Sequence, residues 1–347
     1  NDLKLVSIEY KMGINASPTC TMSFGDQGGA TGWLLGNEFD GMRVMFVMMN
    51  MARLSVGVQG LGLAERTLQG ALAHADERVQ GKVVGTPKED RTSPIVGHPD
   101  VRRMLLDMRS ITEAMRGICL MNAVAMDGAS ALSDEDDRQK AEDLNELLIP
   151  ITKAWCTDMG VEVTSLAVQV FGGMGFVEET GVSQFFRDAR IAPIYEGTNG
   201  IQAMDLVGRK LPMRAGGVVT DTMANIRATI DELNGQEELA GIASRLSEAT
   251  DALDEATQWI FANSGDIRDV LSGATPYLRM WGLVVGGWVL GKSALAATEW
   301  AAEGGDEAFC TEKVRTARWF ADQQLPAVAG LVPRATAGAA LMDEASL

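Results

Sequence analysis

The chain has 347 residues, 46% apolar and 22% charged, which sets a prior of about two domains and allows a large core without covalent staples. Its four cysteines (Cys20, Cys119, Cys156, Cys310) form no C-x-x-C pair and it has two histidines, His74 and His98; this excludes a disulfide scaffold, a thiolate zinc site and a Ser-His-Asp triad, and no metal is expected. Thirty basic residues face 47 acidic ones, net −17, with no basic stripe, so nucleic acid and anionic membrane are excluded as partners. The cysteine usage fits a reducing compartment, and the cytoplasm is the expected location. No signal peptide is visible and the first residue is Asn1, so the chain is expected to start inside a longer protein.

Residues 1–40 carry two short, partly alternating runs, Leu3 to Tyr10 and Thr19 to Phe24, separated by turn formers at Gly13, Pro18, Gly25-Asp26, Gly28-Gly29 and Gly36-Asn37. These are strand and turn signals. Two or three strands cannot enclose a core, so the segment reads as the end of a β domain whose front is missing.

From Gly41 the apolar period becomes helical. The spacing predicts a helix over 42–80, with the next proline only at Pro87. A second helix is predicted over 99–131, opening at Pro99-Asp100. A third is predicted over 136–171, capped by the acidic run Ser133 to Asp137 and kinked or interrupted at Pro150. Three long helices with short links describe an antiparallel bundle, 41–212. Met42, Met45, Met48, Met49 and Met51 are read as core filling, with a surface for a variable apolar ligand as the alternative. Gly57-x-x-Gly60-x-Gly62 has the wrong order and flanks for a dinucleotide fingerprint and is read as close helix packing.

After Pro212, residues 213–347 form a second helical domain, its helices lying within 220–330. Breaks are predicted at Asn234-Gly235, Ser264-Gly265 and Gly304-Gly305, with Pro326, Pro333 and Gly338 closing it. The uncharged run Met280 to Gly291 is too short to span a membrane, which takes about 20 residues. Its glycines at 282, 286, 287 and 291 suit a buried helix with close neighbours, and no membrane span is expected.

Two segments carry chemistry. Gln169 to Phe176 ends the third helix in glycines, either as a helix stop with a hydrophobic latch or so that a phosphate-bearing ligand can reach the backbone of Gly172 and Gly173. In Phe186 to Gln202, Asn199 with Gln202 three residues on reads as a capping box. Glu196 remains unexplained, a single carboxylate between Ile194-Tyr195 and the turn at Gly197. In an apolar, desolvated pocket such a group becomes a usable general base.

Ile194 to Asn199 resembles the catalytic segment of the flavin-dependent acyl-CoA dehydrogenases. Gln169 to Phe176 is similar to their glycine-containing flavin segment, and Met51 to Leu54 and Glu77 to Lys82 resemble the start and end of their first long C-terminal helix, although Gln80 replaces the usual aromatic residue. The resemblance implies a mainly α fold: the family's C-terminal antiparallel bundle after a β remnant, here followed by an extra helical domain. That extension resembles a larger subgroup that includes the 3-(methylthio)propanoyl-CoA dehydrogenases, with Arg318 to Ala321 and Pro333 to Gly338 like its closing helix and end.

By this resemblance the chemistry is α,β-dehydrogenation of an acyl-CoA to the trans-2-enoyl-CoA, with FAD as cofactor. The subgroup likeness points to 3-(methylthio)propanoyl-CoA as a substrate. Glu196 is implied as the base that takes the α-proton while hydride leaves for flavin N5. Arg78, Gln169, Gly172 and Gly173 are implied to contact FAD across a subunit interface, with Thr198 and Asn199 near its adenosine end. Arg53, Tyr195 and Gly197 are implied at the acyl-CoA. Electron-transfer flavoprotein or a similar acceptor, and a homodimer, follow as implied partners. An acyl-CoA oxidase and a non-catalytic helical assembly module are the alternatives.

Overall fold

The computed structural model describes residues 1–85 and 92–345, so Pro87 lies outside the described residues. Strand β1 (Leu3–Ile8) pairs antiparallel with β2 (Cys20–Phe24), Leu3 opposite Phe24. Both strands are almost wholly exposed, and so are Tyr10, Trp33 and Phe39 in the links around them. The hairpin touches the helices through Ile14, whose N–H donates to Asp188 Oδ1 at 2.5 Å, while Gly13 lies so close to Arg187 and Asp188 that a side chain would collide there.

Helix α1 (Gly41–Glu77), α2 (Pro99–Ala131) and α3 (Glu135–Phe171) form the bundle. Asp134 caps α3 by accepting the Asp137 N–H, as the acidic run predicts. The predicted interruption at Pro150 does not occur: α3 runs through it, with only the Glu146 carbonyl losing its helical donor. Helices α1 and α3 lie parallel and in close contact. Gly57 faces Thr152, and Gly60 faces Cys156 and Gly160, so closely that a methyl group at either glycine would strike the α3 backbone. His74 stacks on Phe171 at 4.2 Å where the two helices end. Helix α2 returns antiparallel to both and packs mainly on α3.

The methionine-rich start of α1 corrects the sequence expectation. Met49 is buried, but Met42, Met45, Met48 and Met51 are exposed, because the first turns of α1 project past the described helices that could cover them.

Short helices α4 (Val182–Ala189) and α5 (Asn199–Asp205) carry the chain back along the bundle. Beyond them come α6 (Gly217–Asn234), α7 (Ala240–Ala262), α8 (Ile267–Ser272), α9 (Ala274–Ala302), α10 (Glu307–Gln323), α11 (Ala327–Ala335) and α12 (Ala340–Glu344). Pro333 lies inside α11 instead of closing the helical region. The backbone does break after Pro212, where Arg214 and Ala215 adopt left-handed φ values of 49° and 57°. The core does not break there. Helix α9 is central to both parts: Gly282 lies against Trp155 of α3, Gly286 against Ala114 and Phe320, Gly287 against Leu246 and Leu325, and Gly291 against Leu233. One connected set of buried side chains therefore runs from Leu61 to Ala335. By length and composition α9 could cross a membrane, but α2, α3, α6, α7, α10 and α11 occupy its surface.

Candidate active site

The turn between α4 and α5 is the most strained part of the sequence-predicted site. Glu196 has φ 58° and Gly197 φ 81°. Left-handed backbone costs a non-glycine residue on the order of 1 kcal/mol, so the surroundings must hold Glu196 in place. They do so from both sides. Ile191 O accepts the Tyr195 N–H at 3.1 Å, and Pro193 O accepts the Asn199 N–H at 3.0 Å. The Tyr195 hydroxyl donates to Gln59 Oε1 on α1. Beneath the turn, fully buried Gln202 donates its Nε2 to Gly197 O at 3.2 Å. Among the described residues no acceptor takes the Glu196 N–H.

The cap of α5 differs from the sequence expectation. Thr198, not Asn199, is the N-cap, its hydroxyl accepting the Ile201 N–H at 3.3 Å. Asn199 is the first helical residue and turns inward. Its Nδ2 donates to Ala154 O, Thr157 Oγ1 and Asp158 Oδ1 at 3.1, 3.0 and 2.8 Å, and its Oδ1 accepts from Lys153 Nζ at 2.8 Å. Only one amide orientation satisfies all four partners, since an ammonium must donate and a carboxylate must accept.

The surroundings of Glu196 are also less apolar than the sequence suggests. Arg53, 7% exposed, lies under Gly197 and pairs with Asp205 at 3.4 Å. Its Nε is buried without a partner. Lys153 is fully buried on α3 and feels the charges of Asp158, Arg53 and Glu196. Burial pulls its ammonium down to about 8, against the opposing field of Asp158. Burial likewise pushes the Asp158 carboxyl up, opposed by the Asn199 hydrogen bond. Two cations thus sit below the half-buried carboxylate of Glu196.

The lowered Lys153 value has a consequence for stability. Between about 8 and 10.5 the unfolded chain holds a proton on Lys153 that the folded chain has released. Folding stability from this group therefore rises with pH across that window. Urea midpoints measured from pH 8 to 10.5 are expected to show this rise against a flatter Lys153→Met profile; identical slopes would refute it.

The other predicted cofactor residues lie elsewhere. Arg78 follows α1 and is exposed, Gln169 is exposed on the last turn of α3, and Gly172 ends α3 with φ 62°. A side chain built at Gly172 or Gly173 would meet nothing within 4 Å, whereas one at Gly175 would strike the Val168 carbonyl. Gly175 is therefore the packing glycine, and Gly172 and Gly173 face open space. This group sits about 28 Å from Lys153 along α3, at 1.5 Å per residue. The chain accordingly brings Arg53, Tyr195, Glu196, Gly197 and Asn199 together, and separates them from Arg78, Gln169, Gly172 and Gly173.

Lys153, Asp158 and Gln59 belong to the site but were not singled out from sequence, and Gln202, read there only as a capping partner, instead holds Gly197 O. Lys153 did leave a signal: it is the single charge in the stretch from Leu147 to Cys156. Among the described residues no group of His, Cys, Asp and Glu could hold a metal ion.

Comparison with known proteins bears on both halves of the chain. The family described as acyl-CoA dehydrogenase, C-terminal domain, matches residues 40–211, and the family described as acetyl-CoA dehydrogenase C-terminal like matches 222–345. The chain is 46% identical to 3-methylmercaptopropionyl-CoA dehydrogenase of Ruegeria pomeroyi over 94% of its own length and 55% of that protein's. It is 31% identical to the broad-specificity linear acyl-CoA dehydrogenase FadE5 of Mycobacterium tuberculosis, again over 94% of its length and 56% of that protein's. The chain thus spans about half the length of these relatives. Its fold matches that of Caenorhabditis elegans ACDH-11, solved in complex with C11-CoA, with a TM-score of 0.76 at 19% identity over 94% of this chain and 51% of that one. An acyl-CoA dehydrogenase from Bacillus anthracis complexed with FAD gives 0.75 at 20% identity, over 96% of this chain and 57% of that one. With the bundle, the strained Glu196 turn and both family matches in agreement along the chain, this protein belongs to the acyl-CoA dehydrogenase family and carries its C-terminal helical part together with the helical extension.

Proposed function

We propose that the chain supplies the proton-abstracting side of an FAD-dependent α,β-dehydrogenation of an acyl-CoA thioester, yielding the trans-2-enoyl-CoA. The observation that carries this reading is the Glu196 turn, where a carboxylate and an unpaired backbone N–H of the same residue are held together by a strained but fully braced backbone. A thioester α-proton is far too weak an acid for a carboxylate acting alone. Glu196 accepts that proton, while its own N–H donates to the thioester carbonyl oxygen and stabilises the negative charge that develops there. Bound FAD supplies the hydride acceptor for the β-hydrogen.

The residues present fit that cofactor. Gly172 and Gly173 leave open space at their backbone, and Arg78 and Gln169 are exposed beside them. Thr198 is exposed at the opposite level, where it starts α5. The two groups lie about 28 Å apart along α3, a separation that supports a homodimer in which each flavin touches two copies. Arg53, buried beneath Gly197, braces the turn that meets the CoA thioester, and Tyr195 and Gly197 form its outer wall.

The 46% identity to the Ruegeria pomeroyi enzyme favours 3-(methylthio)propanoyl-CoA as substrate. Electron-transfer flavoprotein or a similar acceptor would reoxidise the flavin. Four free cysteines support the cytoplasm as the location. The test is the visible spectrum of the FAD-loaded protein titrated without oxygen with an acyl-CoA panel. Bleaching of the flavin band, strongest with 3-(methylthio)propanoyl-CoA, is expected. A bound flavin that no acyl-CoA bleaches would refute the reading.

A further inference from the structure

Lys153 has no role in the chemistry just described, yet it is the most unusual group beneath the site. It is an ammonium with no exposed surface, at the middle of α3. Keeping such a charge inside costs several kcal/mol unless hydrogen bonds and counter-charges compensate. A methionine or leucine would fill the same space without that cost. Among the described residues its ammonium makes one hydrogen bond, to the side chain of Asn199, which begins α5 three residues after Glu196.

We propose that Lys153 is a positioning residue that acts through Asn199, clamping the left-handed Glu196 turn onto α3. This rests on the reading of Glu196 as the base. The clamp has a fixed polarity. Lys153 donates to Asn199 Oδ1, and the opposite end of the same amide donates to Asp158 Oδ1 and Ala154 O. The amide therefore lies between a cation and an anion of one helix and cannot turn over without losing hydrogen bonds at both ends. The backbone N–H of Asn199 meanwhile ties back to Pro193 O. Residues 193 to 199 thus form a closed loop around the strained pair Glu196-Gly197, pinned at the Asn199 end by α3.

The charged groups facing Lys153 come from every element packed around it: Arg53 from α1, Asp158 from α3 itself and Glu196 from the turn. Arg53 is neutralised by Asp205 of α5. Asp158 is engaged by Asn199 and by the field of Arg279. A proton lost from Lys153 would remove the clamp's positive charge and weaken the bond to the Asn199 carbonyl from a charge-assisted to a neutral one.

The test uses Lys153→Met, which keeps the stem and removes the charge, alongside Asn199→Ala, which keeps the charge and removes the clamp. The first readout is hydrogen exchange of the 193–202 segment in the protein without cofactor. Both variants are expected to raise exchange there about tenfold or more, with the core of α3 and α9 unchanged. The second readout is how the loss divides between kcat and KM in the FAD-loaded protein. In both variants kcat falls at least tenfold with KM changed less than threefold, the split expected when a turn that carries the base loses its position without losing substrate contacts.

Wild-type exchange of 193–202 in both variants would overturn the clamp, and wild-type kcat in both would overturn the positioning role. Should Lys153→Met fail to fold, Asn199→Ala alone decides the clamp through its exchange. If Glu196→Gln turned over normally, the base assignment would fall on its own, while the exchange data would still judge the clamp.

Discussion

Glu196→Gln is expected to lower kcat by on the order of 10⁴-fold, the upper range for removing a general base, while leaving the fold and the binding of acyl-CoA nearly intact. The amide is close in size to the carboxylate, so the left-handed turn, its bonds to Ile191 O and Pro193 O, and the Glu196 N–H all persist. Only the proton acceptor is lost. Rapid mixing with substrate should show flavin reduction slowed to the same extent as steady-state turnover. Turnover within about tenfold of wild type would mean that another group takes the α-proton.

Trp155→Ala is expected to destabilise the folded chain by about 3–5 kcal/mol, the usual cost of emptying a fully buried aromatic site. Trp155 is 1% exposed and fills the close approach between α3 and α9 at Gly282. The loss should fall on the bundle and the extension together, because they share one core. Urea unfolding followed by circular dichroism would check this. A single transition shifted as a whole is expected, whereas two separate transitions, only one of them shifted, would show that the two parts unfold independently.

Much of the helical architecture could be read from the chain. Period and capping residues place α2 at Pro99–Ala131 as observed and α3 within a residue, because a long amphipathic pattern bounded by proline, aspartate and glycine has few other solutions. Gly57 and Gly60 read correctly as contact glycines. The residue types around Ile194 to Asn199 were enough to bring out Glu196 and the family.

Tertiary structure decided the rest. Apolar character alone could not say which methionines of α1 would be covered, since covering depends on what packs there. Capping propensity favoured Asn199, but Lys153, Thr157 and Asp158 on α3 drew its side chain inward and left the cap to Thr198. The two family matches divide near Pro212, where the chain suggested a boundary; only the folded chain shows that α9 packs against both sides, because four glycines at helical spacing let several helices approach it closely. What the sequence determined by itself was local: the periodic helices, the glycine contacts and the segment that carries Glu196. What only the folded chain decided was long-range, namely which charges meet beneath Glu196. Arg53, Lys153 and Asp205 are far apart in sequence, and burial forces each of them to find its partner across helices.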